Sequence, residues 1–276
     1  MRIVLFTVFF LVVTAFQLKV KETTESPILN PPFYDTNTVW VDSLMQALSN
    51  EQRIAQLFMV AAYSNKGDVH RESISKLVEE YHIGGLMFMQ GGPVRQAHLT
   101  NYYQSITKVP LMIAQDAEWG LSMRIDSTLR FPWQMTLGAM QNEQLVYEMG
   151  LEIARQCQRL GVHINFAPVV DVNSNPKNPI INNRSFGEDP FKVADLGTAY
   201  MQGLQDGGVL ACAKHFPGHG DTDADSHKTL PIILHAKERL DSIDLVPFQQ
   251  MFRSGLGSIM VAHLYIPELD NTENLA

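Results

Sequence analysis

An α/β protein built on a parallel sheet is what this sequence predicts, on three observations. From about residue 39 onward, short apolar runs alternate with amphipathic stretches, as βαβ units require. Polar and charged residues gather just after the apolar runs end, where parallel α/β folds carry their functional side chains. No G-x-G-x-x-G follows the first run, which counts against a dinucleotide-binding sheet. With 276 residues, 45% of them hydrophobic, the chain has apolar material for one substantial core.

The first element differs in kind from the rest. Arg2 precedes an apolar run from Ile3 to Phe16, and polar residues follow it. The run is too short for an ordinary membrane span, and Val13 and Ala15 suit cleavage after Ala15. Residues 1–16 are therefore predicted as a signal peptide or, if uncleaved, an N-terminal anchor. Export to the periplasm or beyond follows from that prediction. Residues 17–38, rich in Pro, Thr, Ser and Asn without periodicity, read as a linker, and 39–276 as the folded domain.

Within the domain, strands are predicted at 54–60, 85–89, 111–115, 163–170, 209–213 and 258–262. Helical spacing is clearest at 142–160, where Leu145, Met149, Ile153 and Cys157 share a face, and at 237–252. Cys157 and Cys212 are the only cysteines, so buried thiols rather than a disulfide framework are expected. The net charge of −8, without a run of Lys or Arg, offers no footprint for nucleic acid or an anionic membrane. A neutral or weakly charged substrate fits better.

Asp116 follows the third predicted strand, Asp171 and Asn173 the fourth, Lys214 and His215 the fifth, and His263 the sixth. Such strand-end residues suit a barrel and a doubly wound sheet alike, so both architectures stay open on this ground. The densest chemistry is the stretch KHFPGHGDTDADSH from Lys214 to His227. Pro217, Gly218 and Gly220 forbid a regular helix there, so it is a loop able to approach a ligand closely. A metal is not expected: His215 and His219 have HxxxH spacing but no helix to present them. Asp221, Asp223 and Asp225 begin like a calcium loop, yet Ser226 and Ile232 stand where Gly and Glu belong.

The stretch KHFPGHG followed by Asp225-Ser-His227 resembles the signature of family 3 glycoside hydrolases of the β-N-acetylglucosaminidase branch. NRSFGED from Asn183 to Asp189, APVVD from Ala167 to Asp171, and Asp116 with Arg124 fall in the same family's order. The resemblance implies a (β/α)8 TIM-type barrel, incomplete here, with about six of eight βα units present. It implies retaining hydrolysis of terminal non-reducing N-acetyl-β-glucosaminides, on cell-wall-derived glycosides as in peptidoglycan turnover. No cofactor is expected; the partner is an amino-sugar glycoside substrate.

By the same resemblance His227 is the general acid/base and Asp225 its partner, while Asp116, Arg124, Arg184, Lys214 and His215 hold sugar hydroxyls. Elementary chemistry agrees with the pair. Residues two apart in an extended loop point the same way, so Asp225 can orient the imidazole and favour its protonated form. The cationic residues also have purely structural readings, Arg184 pairing with Glu188 or Asp189 and Lys214 with Asp171. The chain departs from many relatives by reading Ala117-Glu118-Trp119-Gly120 after Asp116, and Trp119 either stacks on a sugar or packs against the barrel end.

A retaining enzyme also needs a carboxylate nucleophile about 5 to 5.5 Å from the acid/base group. In the family it follows the seventh strand, and neither Asp270 nor Glu273 is assigned that role. The polypeptide ending at Ala276 is therefore expected to be a fragment without robust activity. A β-glucosidase of the same family, a phosphorylase variant and a non-catalytic sugar-binding domain are the competing readings.

Overall fold

A computed structural model describes residues 28–140, 142–224 and 230–270. The signal peptide or anchor predicted for 1–16 and the pair Asp225 and His227 lie outside the described residues. Among the described residues, no helix is long and apolar enough to cross a membrane.

Six strands form one parallel sheet in sequential order: β1 (Met59–Tyr63), β2 (Gly85–Gln90), β3 (Met112–Gln115), β4 (Ile164–Asn165), β5 (Leu210–Phe216) and β6 (Ser258–Val261). Helices α1 (Val39–Ala47) and α2 (Asn50–Ala55) precede the sheet. The crossovers then carry α3 (Asp68–Glu79), α4 (Pro93–Ile106), α5 (Gln134–Met140), α6 (Glu143–Arg159), α7 (Pro190–Asp206), α8 (Lys237–Arg239) and α9 (Val246–Arg253). A doubly wound sheet reverses its strand order at a switch point; this one never does, so the barrel architecture is the one adopted.

Three predicted elements are corrected. The first strand was expected at 54–60, but Ser49 and Gln52 form a reciprocal capping box that starts α2, and β1 begins only at Met59. The fourth, expected over 163–170, is regular only at Ile164–Asn165, because Pro168 has no N–H to give the ladder. Contact with β5 continues irregularly through it, with Lys214 N donating to Pro168 O at 3.2 Å and Val170 N to Lys214 O at 2.8 Å. The helix expected at 237–252 is split by a wider turn, Leu240–Asp244, closed by Leu245 N to Leu240 O. Pro247, without a donor, then sits in the first turn of α9.

The main core lies between sheet and helices and includes Phe88, Ile113, Ile153, Tyr200, Leu204 and Phe248. A smaller cluster joins Ala114, Ile164 and Cys212 with Met59, Met87 and Met260. Cys157 and Cys212 are both buried free thiols, as the sequence suggests. Helices α6 and α7 approach so closely that a Cβ on Gly203 would stand 2.1 Å from Tyr147 O. That approach seats the Tyr200 hydroxyl against the carbonyls of Ala117 and Glu118, at 3.1 and 3.2 Å, and so braces the segment after β3.

Gly203→Ala is therefore expected to cost about 1–3 kcal/mol, by forcing two helix backbones apart. Gly67→Ala, where an added Cβ meets nothing within 4 Å, serves as the control. Thermal melting should fall by several degrees for the first and stay near wild type for the second; equal melting temperatures would contradict this packing.

Candidate active site

The ends of β3 and β5 bring five charged side chains together. Asp116 and Glu118 leave β3 in an extended segment, two apart and therefore on one side. Lys214, near the end of β5, places its ammonium 2.8 Å from Asp116 Oδ1 and 2.8 Å from Glu118 Oε1. Arg184, at the end of the short helical turn Asn182–Arg184, grips Glu118 with both arms of its fork, at 2.8 and 2.9 Å. Arg124 donates to the second oxygen of Asp116.

These groups lie in two tiers. Glu118 is fully closed and the Lys214 side chain is 3% exposed, whereas Asp116, Arg124 and Arg184 keep 12%, 25% and 21% of their side chains open. Any ligand therefore meets the second group first, and the buried pair beneath holds it in place.

The loop that follows β5 is organised by a different carboxylate. Asp171, fully buried, accepts the backbone N–H of His215 at 3.1 Å and of His219 at 2.7 Å. Its other oxygen lies 2.7 Å from His215 Nδ1. An ionised carboxylate can only accept, so Nδ1 carries the proton and Nε2 faces the Arg184 guanidinium, 3.4 Å away. The turn also depends on glycine: a Cβ on Gly220 would lie 1.8 Å from Val172 O.

Electrostatics keep the network charged. Burial alone would raise the Glu118 carboxyl, but Lys214 and Arg184 outweigh it and hold it at about 2. The same contest lowers Asp116, where Lys214 and Arg124 overcome burial. Asp171 is likewise lowered, as His215 and the two backbone donors outweigh desolvation. Lys214 moves the other way: burial pulls its ammonium down, and Glu118 and Asp116 more than restore it. His219 is lowered by burial, the largest influence on it.

Of the residues predicted for the site, Asp116, Arg124, Arg184, Lys214 and His215 converge. Asp225 and His227 lie outside the described residues. The alternative ion pairs are not the ones formed. Arg184 takes Glu118 rather than Glu188 or Asp189, and Lys214 takes Asp116 and Glu118 while Asp171 goes to His215. Trp119 packs on Trp133 with ring centroids 4.1 Å apart, so its ring has a protein partner. His163 accepts from Ile113 N at 2.9 Å through Nδ1, a bond that ties β3 to the start of β4. Sequence reasoning missed Glu118 as a site residue; its place two positions after Asp116, in a segment that is not helical, was the available signal.

Residues 49–275 match the glycosyl hydrolase family 3 N-terminal domain, and the chain belongs to that family. β-Hexosaminidase A of Pseudoalteromonas piscicida is 40% identical over 214 residues, covering 72% of this chain and 36% of that protein. A solved family 3 β-N-acetylglucosaminidase from Paenibacillus sp. str. FPU-7 gives a TM-score of 0.76 at 37% identity, over 82% of this chain and 44% of that one. NagZ from Neisseria gonorrhoeae, solved with N-trifluoroacetyl-D-glucosamine, gives 0.68 at 30% identity, over 77% of this chain and 65% of that one. The chain thus spans only part of the length of each.

Replacing Glu118 by Gln leaves two buried cations underpaired and should cost about 3–5 kcal/mol. The sign of its pH dependence is fixed by a folded value of about 2 against an ordinary 4.5. Stability from this group is complete above pH 4.5 and is lost as pH falls toward 2. Denaturant melts of wild type and Glu118→Gln should therefore converge between those limits; parallel curves would contradict an ionised, paired Glu118.

Proposed function

We propose that this chain carries the sugar-binding floor and acid/base loop of a β-N-acetylhexosaminidase that hydrolyses terminal non-reducing N-acetyl-β-glucosaminides with retention. The observation that carries the reading is the ionised cluster of Asp116, Glu118, Arg184 and Lys214 at the strand carboxyl ends, beside the KHFPGHG loop. The names of the relatives support the amino-sugar class, as does the N-trifluoroacetyl-D-glucosamine bound by the neisserial protein.

In this reading Asp116 accepts from adjacent sugar hydroxyls, Arg124 and Arg184 donate to neighbouring oxygens, and His215, its Nδ1–H committed to Asp171, accepts from a hydroxyl at Nε2. Two of the three Lys214 N–H donors serve Asp116 and Glu118, and the third is directed to the sugar. Because the cluster is already charged and mutually braced, binding requires little reorganisation, and the energy gained can distort the ring toward an oxocarbenium-like geometry. His227, oriented by Asp225, protonates the glycosidic oxygen and later removes a proton from the attacking water. The carboxylate nucleophile that retention requires is not assigned to any residue of this chain. Cell-wall-derived glycosides are the proposed substrates, and export by the N-terminal segment would bring the protein to them.

Calorimetric titration of the 276-residue chain with N-acetylglucosamine tests the reading. Saturable binding is expected, about tenfold or more weaker in a folded Asp116→Asn variant and tighter than for glucose. No binding, or equal binding of glucose, would count against the amino-sugar assignment.

A further inference from the structure

The segment between Arg124 and α5 lies across the rim of the site and takes no part in the sugar-binding floor. It starts beside the end of β2, where Asp126 N donates to Gly91 O at 2.8 Å and Arg95 holds the Asp126 carboxylate at 2.9 Å. In its middle, Phe131 N donates to Trp119 O at 3.0 Å. Just beyond it, Gln134 binds both backbone groups of Val169, donating to its carbonyl at 2.7 Å and accepting its N–H at 3.2 Å. Val169 is itself the bridge partner of Lys214. The segment therefore spans the strand carboxyl ends from β2 to β5, the same face as the charged cluster.

Trp119 meets this segment at the apex of a loop rooted in the cluster. Asp116 and Arg124 close the loop by their ion pair, and the chain reverses at Gly120, whose N–H reaches Ala117 O at 3.1 Å with φ of +85°. A Cβ on Gly120 would stand 2.6 Å from the Phe131 ring, so the reversal and the overlying segment together require glycine. Packed together at the apex, Trp119 and Trp133 have ring centroids 4.1 Å apart and planes inclined by 51°, and both stay partly exposed. The exposed Arg130 guanidinium stands 5.1 Å from the Trp133 ring centroid. The rim thus carries a solvent-facing aromatic ledge edged with a cation, one residue from Glu118. Indoles left wet in this way are the groups that recognition surfaces use as anchors.

We propose that Trp119 and Trp133 form a second carbohydrate subsite, which takes the sugar on the leaving side of the glycosidic bond while the floor holds the terminal one. The proposal rests on the sugar-binding role given to the floor above. A pyranose presents an apolar C–H face and a rim of hydroxyls. The indole pair covers the first, and the indole N–H groups with Arg130 supply donors for the second. The ledge continues the floor through the peptide bond between Glu118 and Trp119, so a glycoside of more than one sugar, seated on the floor, extends over it.

Of the three tryptophans, only Trp40, in α1, lies away from the ledge, so fluorescence of a Trp40→Phe protein reports the ledge alone. Titrating it with N-acetylglucosamine and with the β-linked dimer of that sugar tests the proposal. The dimer should bind about threefold to tenfold more tightly and change the emission, whereas the single sugar should bind without changing it. Trp133→Leu should bring the ratio of the two affinities, read by calorimetry, close to one, and Trp133→Phe should restore most of it. If Trp133→Leu does not fold, the emission and the affinity ratio of the Trp40→Phe protein decide by themselves. Equal affinities for the two sugars, or a dimer advantage that survives in Trp133→Leu, would overturn the ledge and leave the floor standing. Emission that responds to the dimer while the single sugar fails to bind would sink the amino-sugar floor and uphold the ledge.

Discussion

Burying the Lys214 ammonium is the constraint around which this end of the barrel is arranged. A lone ammonium that is 3% exposed would shed its proton rather than remain charged without water. Two carboxylates at 2.8 Å prevent that, and they in turn need Arg124 and Arg184. The network spans β3, the turn before α7 and β5, so the charge balance can be met only when those elements are in register. Removing any one member leaves its partners as uncompensated buried charges, a larger penalty than the pair's net worth.

Asp171 does for the loop what Lys214 does for the floor. One buried carboxylate collects two backbone donors and an imidazole, and thereby fixes where the chain turns after β5. His215 is shared between the two systems, with Nδ1 on Asp171 and Nε2 toward Arg184. Loop and floor are therefore coupled through one ring.

Much of this was legible in the sequence, and the failures have physical causes. Sequential βα alternation gave the parallel sheet, and the KHFPGHG motif located the loop, because Pro and Gly restrict backbone choice locally. The first strand was misplaced because Ile54, Leu57 and Phe58 supply apolar character in either state; the Ser49–Gln52 cap decided for helix. The split of 237–252 turned on Pro247, a local signal that was present and underweighted. Glu118 escaped because its importance is nonlocal. Nothing near it in sequence reveals that Arg184, 66 positions away, will close on it bidentately. Choosing among Glu188, Asp189 and Glu118 as the partner of Arg184 required the fold.

The most direct measurement is NMR observation of the Lys214 ε-ammonium as pH is raised. Asp116 and Glu118 shift its ionisation above the ordinary value of 10.5 despite burial. A hydrogen-bonded ammonium signal that persists beyond pH 10.5 is the result this account expects. Deprotonation well below that, as for an isolated buried lysine, would mean the carboxylates do not hold it and would remove the basis of the site.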